Sequence, residues 1–217
     1  MFDYRGNRLV TGPAVEPVTA ADLRTQLRTD ATDLPDATAD AYIAEARQEI
    51  EDQTGLALIT QSWKLTLDRW PNAREPWWDG MQEMAISELD NGKGTVFLPR
   101  YPLASITSCT VYDTAGNATT VTVSSTFDID TQQMPGRLRL QSGATWPVAL
   151  RSTNAIEIVY QAGYGSTASA VPAPLVRAVR GLAAYIYAHR GDACAPADAY
   201  VDSGAAAVCD KYKVRRV

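Results

Sequence analysis

The feature that most constrains this chain is a change of hydrophobic period: helical up to about residue 58, strand-like from Thr60, and helical again after Pro172. Between residues 36 and 53, Ala39, Tyr42, Ile43, Ala46 and Ile50 recur at three- and four-residue spacing, with Glu45, Arg47, Gln48, Glu49 and Glu51 between them. That spacing predicts an amphipathic helix with one apolar stripe. Pro35 precedes it, and Gly55 follows where a left-handed cap is wanted. From Thr60, Trp63, Leu65 and Leu67 alternate with Ser62, Lys64, Thr66 and Asp68, the pattern of a half-buried strand. Short runs rich in Thr and Val follow at 95–98, 106–112, 119–123, 126–129, 137–140 and 155–161, with turn signals at 91–94 and 113–117. After Pro172, one face is marked by Leu175, Val176, Val179, Leu182, Ala183, Ile186 and Tyr187, while Arg177 and Arg180 face away.

The expected class is therefore α+β: an α-helical bundle of N-terminal helix pair and C-terminal helices, with a small antiparallel β-sandwich or barrel inserted. The first helix is short, Ala20 to about Arg28, with Thr19 as N-cap and Asp22 completing a near capping box. Only Leu23 and Leu27 give it an apolar stripe, so it must lean on a larger partner. The expected divisions are an extended Gly/Pro-containing arm at 1–17, a helical domain from 18–58 and 172–210, a β domain at 59–171, and a basic tail at 211–217. A last helical stretch is expected from Ser203 onward.

Charge narrows the function classes. The net charge of −5 argues against general binding along a nucleic-acid backbone, which wants a basic face. The charge is also uneven: residues 1–60 carry eleven Asp/Glu against five Lys/Arg, whereas Lys211, Tyr212, Lys213, Val214, Arg215, Arg216 and Val217 hold four cations and no anion. An acidic front and a basic tail suit contacts between copies, or a tail aimed at an acidic partner; a solvated chain end is the plainer alternative. No apolar run reaches the length of a membrane helix, and residues 1–8 lack a signal-peptide pattern, so the chain is expected to be made in a cytoplasm. Cys109, Cys194 and Cys209 form no close pair and read as free thiols.

The inventory for catalysis is poor. His189 is the only histidine, near a helix end where a surface imidazole is ordinary, and no nucleophile elbow precedes a helix. Asp128 and Asp130 share one side of a strand end, but nothing completes a metal's ligand count, so solvated acids are the expectation. Gly163-Tyr164-Gly165-Ser166 superficially suggests a phosphate loop, yet it lacks the Lys-Ser/Thr ending and reads as a connector. No catalytic residue, cofactor or metal is assigned. Of the five tryptophans, Trp63 alternates like a core residue, while Trp77 and Trp78 fall in a loop and mark a contact surface. The alternatives are a β-rich carbohydrate- or host-binding module using Trp77, Trp78 and Tyr101, and a hydrolase using Asp128, Asp130 or His189.

Several stretches, in order, resemble the head–tail connector (adaptor) proteins of long-tailed phages and gene transfer agents. Residues 18–28, Val18-Thr19 through Leu27-Arg28, look like that family's opening helix. Residues 41–51 running into Thr54-Gly55-Leu56-Ala57-Leu58-Ile59-Thr60-Gln61-Ser62-Trp63 are similar to its second helix, "T-G-R-x-L-I-x-Q-T-W" turn and first strand. Leu98-Pro99-Arg100-Tyr101-Pro102-Leu103-Ala104-Ser105-Ile106, then Tyr160-Gln161-Ala162-Gly163-Tyr164-Gly165, then Val171-Pro172-Ala173-Pro174-Leu175 continue the likeness to the aromatic and basic end. Departures are the arm before Val18, the loop at 70–84, and Leu56 where the family usually has Arg.

The resemblance implies a structural subunit of a homo-oligomeric ring, twelve-fold, in the neck of a virion assembled in a bacterial cytoplasm. The ring would sit between a portal protein and a stopper or tail-completion protein, with packaged DNA passing through unread. The C-terminal tail, Lys211 to Val217, is expected to bind the portal. Glu45 and Glu49 on an acidic face, and Arg177 and Arg180 on a basic one, are the expected subunit contacts, with Trp77 and Trp78 as a further contact.

Overall fold

The computed structural model describes residues 6–71, 94–190 and 198–213. In chain order its elements begin with β1 (Asn7–Thr11), α1 (Ala20–Leu27), α2 (Asp36–Thr54) and β2 (Gln61–Leu67). Then come β3 (Thr95–Phe97), β4 (Leu103–Tyr112), β5 (Ala118–Val121), α3 (Val123–Thr126), β6 (Phe127–Asp130), β7 (Arg137–Leu140) and β8 (Ile156–Ala162). The chain closes with α4 (Ala173–Ala188), α5 (Ala199–Asp202) and α6 (Ala205–Cys209). The class is α+β, as the periodicity requires. Two compact units divide the chain: Met1–Thr11 with Ser62–Ala162, and Gly12–Gln61 with Gly163–Val217.

In the helical unit, α4 packs against α1, α2 and α6. Most of the stripes read from sequence are buried on the two packed helices, Ala39, Ile43, Ala46 and Ile50 on α2 and Leu175, Val179, Leu182 and Ala183 on α4, while Tyr42, Val176, Ile186 and Tyr187 are half-buried. Each fully buried Leu or Ile contributes about 1.5–3 kcal/mol. Both ends of α1 are capped. The Thr19 hydroxyl accepts from the Asp22 N–H at 3.1 Å, the Asp22 carboxylate accepts from Thr19 in return, and Arg28 closes the helix in the left-handed conformation. The stretch expected to be helical from Ser203 onward is two short helices, α5 beginning four residues earlier and α6 after a left-handed Gly204.

The β unit holds two antiparallel sheets, one in the order β1-β2-β8-β4-β5 and one in the order β3-β7-β6. Neither closes on itself, so among the described residues the expected barrel is two open sheets. Closure needs the first and last strands to pair in staggered register; here β1 and β5 end one sheet, and β3, β6 and β7 pair among themselves. Alternation places Trp63 and Leu65 of β2, Cys109 and Val111 of β4, and Ile156, Ile158 and Tyr160 of β8 in the core. Residues 7–11, within the segment read as an extended arm, are strand β1: Leu9 lies opposite Trp63 and Asn7 opposite Leu65. The Tyr160 hydroxyl donates to Asn7 Oδ1 at 3.0 Å, tying that strand to β8.

Candidate functional site

The Thr54–Gln61 turn shows why a chain of this kind carries its polar residues where it does. The Thr54 hydroxyl donates to the Ile50 carbonyl at 2.6 Å and accepts from the Leu56 N–H at 3.2 Å. Gly55 takes φ 79°, a left-handed value that glycine adopts without steric cost. Glu51 then receives three donors: the Leu58 N–H at 2.8 Å, Gln61 Nε2 at 2.6 Å and Arg47 at 2.7 Å. Arg47 also reaches Glu16 at 2.8 Å. Burial pushes the Glu51 carboxyl above its ordinary range, against the pull of Arg47 and the two other donors.

Arg47 and Glu51 correct the sequence reading, which set both on the polar side of the helix; both are buried. The reason is mutual satisfaction: their charges and hydrogen-bonding groups find partners inside, which is the condition for burying them. An Arg and a Glu four residues apart, each one turn or less from Ile43 or Ile50, were the available signal. Leu56, one of the departures from the resembled family, is fully buried.

The Gly163–Gly165 segment is a connector. A Cβ on Gly163 would lie 2.6 Å from the Thr60 backbone, and Gly163 has φ 143°. The Gly165 carbonyl accepts from the Thr60 N–H at 2.9 Å, which ties the segment to the Thr54–Gln61 turn. His189 caps α4, its ring stacked on Tyr185 at 4.0 Å and its Nδ1 2.8 Å from the Tyr185 carbonyl. Asp130 is bound to Arg137 at 2.9 Å, and Asp128 is exposed. Cys109 is buried, which pushes its thiol up to about 12 and makes it a packing residue; Cys209 is buried too. Cys194 lies outside the described residues. Tyr101 is buried, so it offers no face on which a sugar ring could stack.

The expected contact residues fall in three places. Glu45 is exposed on α2, and Glu49, half-buried, accepts from Gln53 Nε2 at 2.9 Å. Arg177 is exposed on α4; Arg180 is half-buried and adds a smaller pull to the Thr19 hydrogen bonds that hold the Asp22 carboxyl below its usual range. The root of the tail follows α6, anchored by buried Cys209: Lys213 pairs with Asp210 at 3.1 Å and lies over the Tyr200 ring, while Lys211 is exposed and Tyr212 half-buried. Trp77, Trp78, Val214, Arg215, Arg216 and Val217 lie outside the described residues. Sequence reasoning missed one aromatic group: Trp70, assigned to a loop, packs with Phe127 at 5.3 Å and Trp146 at 5.7 Å. Its indole N–H donates to the Gly94 carbonyl at 2.8 Å.

Taken together, fold and surfaces define a two-unit α+β chain whose buried polar groups serve packing. Its ionisable clusters among the described residues form no metal-binding group, and no helix there is long and apolar enough to cross a membrane. Among solved structures, the chain is similar to one in the neck of an empty GTA particle computed with C6 symmetry. That match has 26% identity and a TM-score of 0.72. A chain of the virion of a native gene transfer agent particle matches with 28% identity and a TM-score of 0.69. One in the neck of a native GTA particle computed with C12 symmetry matches with 26% identity and a TM-score of 0.67. In all three, 97% of this chain and 96% of the other are covered. No protein-family model matches, and no curated protein does either. The resemblance to head–tail connector proteins read in the sequence is borne out across both units.

Proposed function

We propose that the chain is a structural, non-enzymatic subunit of the neck of a tailed phage or gene transfer agent particle. Copies of it form a ring between the portal and a stopper or tail-completion protein. The observation that carries this reading is the likeness to neck structures over 97% of the chain, in assemblies of six- and twelve-fold symmetry. A closed ring needs two different complementary faces on each subunit. The acidic α2 face with Glu45 and Glu49 and the basic α4 face with Arg177 and Arg180 supply one such pair. Residues 211–217 form the portal-binding tail, held at their root by Lys213, Asp210 and Tyr200. Opposite charge at such contacts speeds encounter and sets register more than it adds affinity.

Deleting residues 212–217 tests the tail. Far-ultraviolet circular dichroism should be unchanged, while the complex with the portal protein, sized by light scattering, should be lost. Retained docking refutes the tail assignment. A full-length chain that stays monomeric beside its portal refutes the connector reading as a whole.

A further inference from the structure

The two sheets of the β unit share a feature that a finished fold does not require: each has a core row that runs out to an exposed edge strand. In the three-stranded sheet, Val96, Leu138 and Ile129 lie side by side on the core face. Their exposures are 2%, 0% and 38%, so the row is covered until it reaches the rim at β6. In the five-stranded sheet, Leu9 of β1 lies opposite Trp63 on the core face, at 50% exposure against 9%. Val10, the extra residue at the bulge beside Leu9, is 55% exposed. Edge strands present unpaired backbone groups, and proteins blunt them with charge or bulges. Both edges here carry charge beside the apolar residue, and the signs differ: Arg8 precedes Leu9, whereas Asp128 and Asp130 flank Ile129.

That difference decides what can pair. Two β1 edges would bring arginine to arginine, and two β6 edges acid to acid; like charges directly opposite are unfavourable. A β1 edge meeting a β6 edge places Leu9 against Ile129. It also sets Arg8 beside Asp128 in parallel pairing, or beside Asp130, which already pairs with Arg137 at 2.9 Å, in antiparallel pairing, because an acid stands on both sides of Ile129. A contact between two different edges is heterologous, the kind that closes a ring. We propose that β1 of one copy adds to β6 of the next copy, so that the two sheets continue across the subunit boundary and Leu9 and Ile129 complete each other's core rows.

This rests on the ring reading, and the test separates the two. The variant Leu9→Cys/Ile129→Cys is assembled with its portal, sized, oxidised and run under denaturing, non-reducing conditions. The expected result is a ladder in multiples of the 23.5 kDa subunit rising to the ring's copy number, with each single variant remaining at the monomer position. Rings of full size that give no ladder overturn the strand-edge contact and leave the ring reading standing. Absence of any ring removes both. A second set of variants guards against misfolding: Arg8→Asp should lose ring formation while keeping its circular dichroism, and adding Asp128→Arg (parallel pairing) or Asp130→Arg (antiparallel pairing) should recover it. Failure of recovery in both folded double variants counts against the proposal.

Discussion

In the helical unit, polar groups that enter the core answer one another there; in the β unit, two apolar core rows run out to an exposed rim. Arg47, Glu51, Gln61 and Glu16 form the first arrangement, closing a turn within one unit. Leu9 and Ile129 form the second, each on the core side of an edge strand and each partly in water. The difference teaches where to look for function. A satisfied interior network holds shape, whereas an unfinished row offers area to something else.

The sharpest way to break the comparison is Glu51→Ala. It leaves Arg47 with Glu16 as its remaining carboxylate partner and the Leu58 N–H and Gln61 amide without their acceptor. Removing one partner of a buried pair costs about 3–5 kcal/mol, read as a lower urea midpoint. Leu138→Ala attacks the covered middle of the row that Ile129 leaves open, and should cost about 2–5 kcal/mol by the same measurement. Thr19→Ala removes the α1 cap and should cost about 1 kcal/mol. Because Thr19 holds the Asp22 carboxyl below its usual range, that contribution is fully present above the unfolded value near pH ~4. It is lost as pH falls through the lowered folded value. Thr19→Ala should therefore flatten this part of the acid unfolding curve. The smallest effect on stability is expected from Leu9→Asp, within about 0.5 kcal/mol as for other exposed sites. If it instead unfolds the protein, the β1 rim belongs to the core and the contrast fails.

The sequence made legible whatever depends on period and punctuation. The stripe of α2, the strand at β7, the cap at Thr19 and the turn at 113–117 all follow from local residue order. Three kinds of feature did not. Buried Arg47 and Glu51 read as surface because local pattern carries no knowledge of Glu16, Leu58 or Gln61 arriving from elsewhere in the chain. The pairing of β1 was missed within a segment read as an extended arm, because it depends on β2, more than fifty residues later. The burial of Trp70, which does lie in a loop, was missed because its partners Phe127 and Trp146 are brought to it by two other segments. The proposed interaction surfaces could be read only from charge and from a Trp pair outside the described residues, since a surface's partner is not written in one chain.

The neck assignment is tested most directly by imaging particles that carry this chain and locating it in the neck at a resolution that traces helices. The account predicts copies of the chain in a closed ring beneath the portal, with residues 211–217 directed at the portal. A neck of complete symmetry from which this chain is absent, with the chain found elsewhere or free, would contradict it.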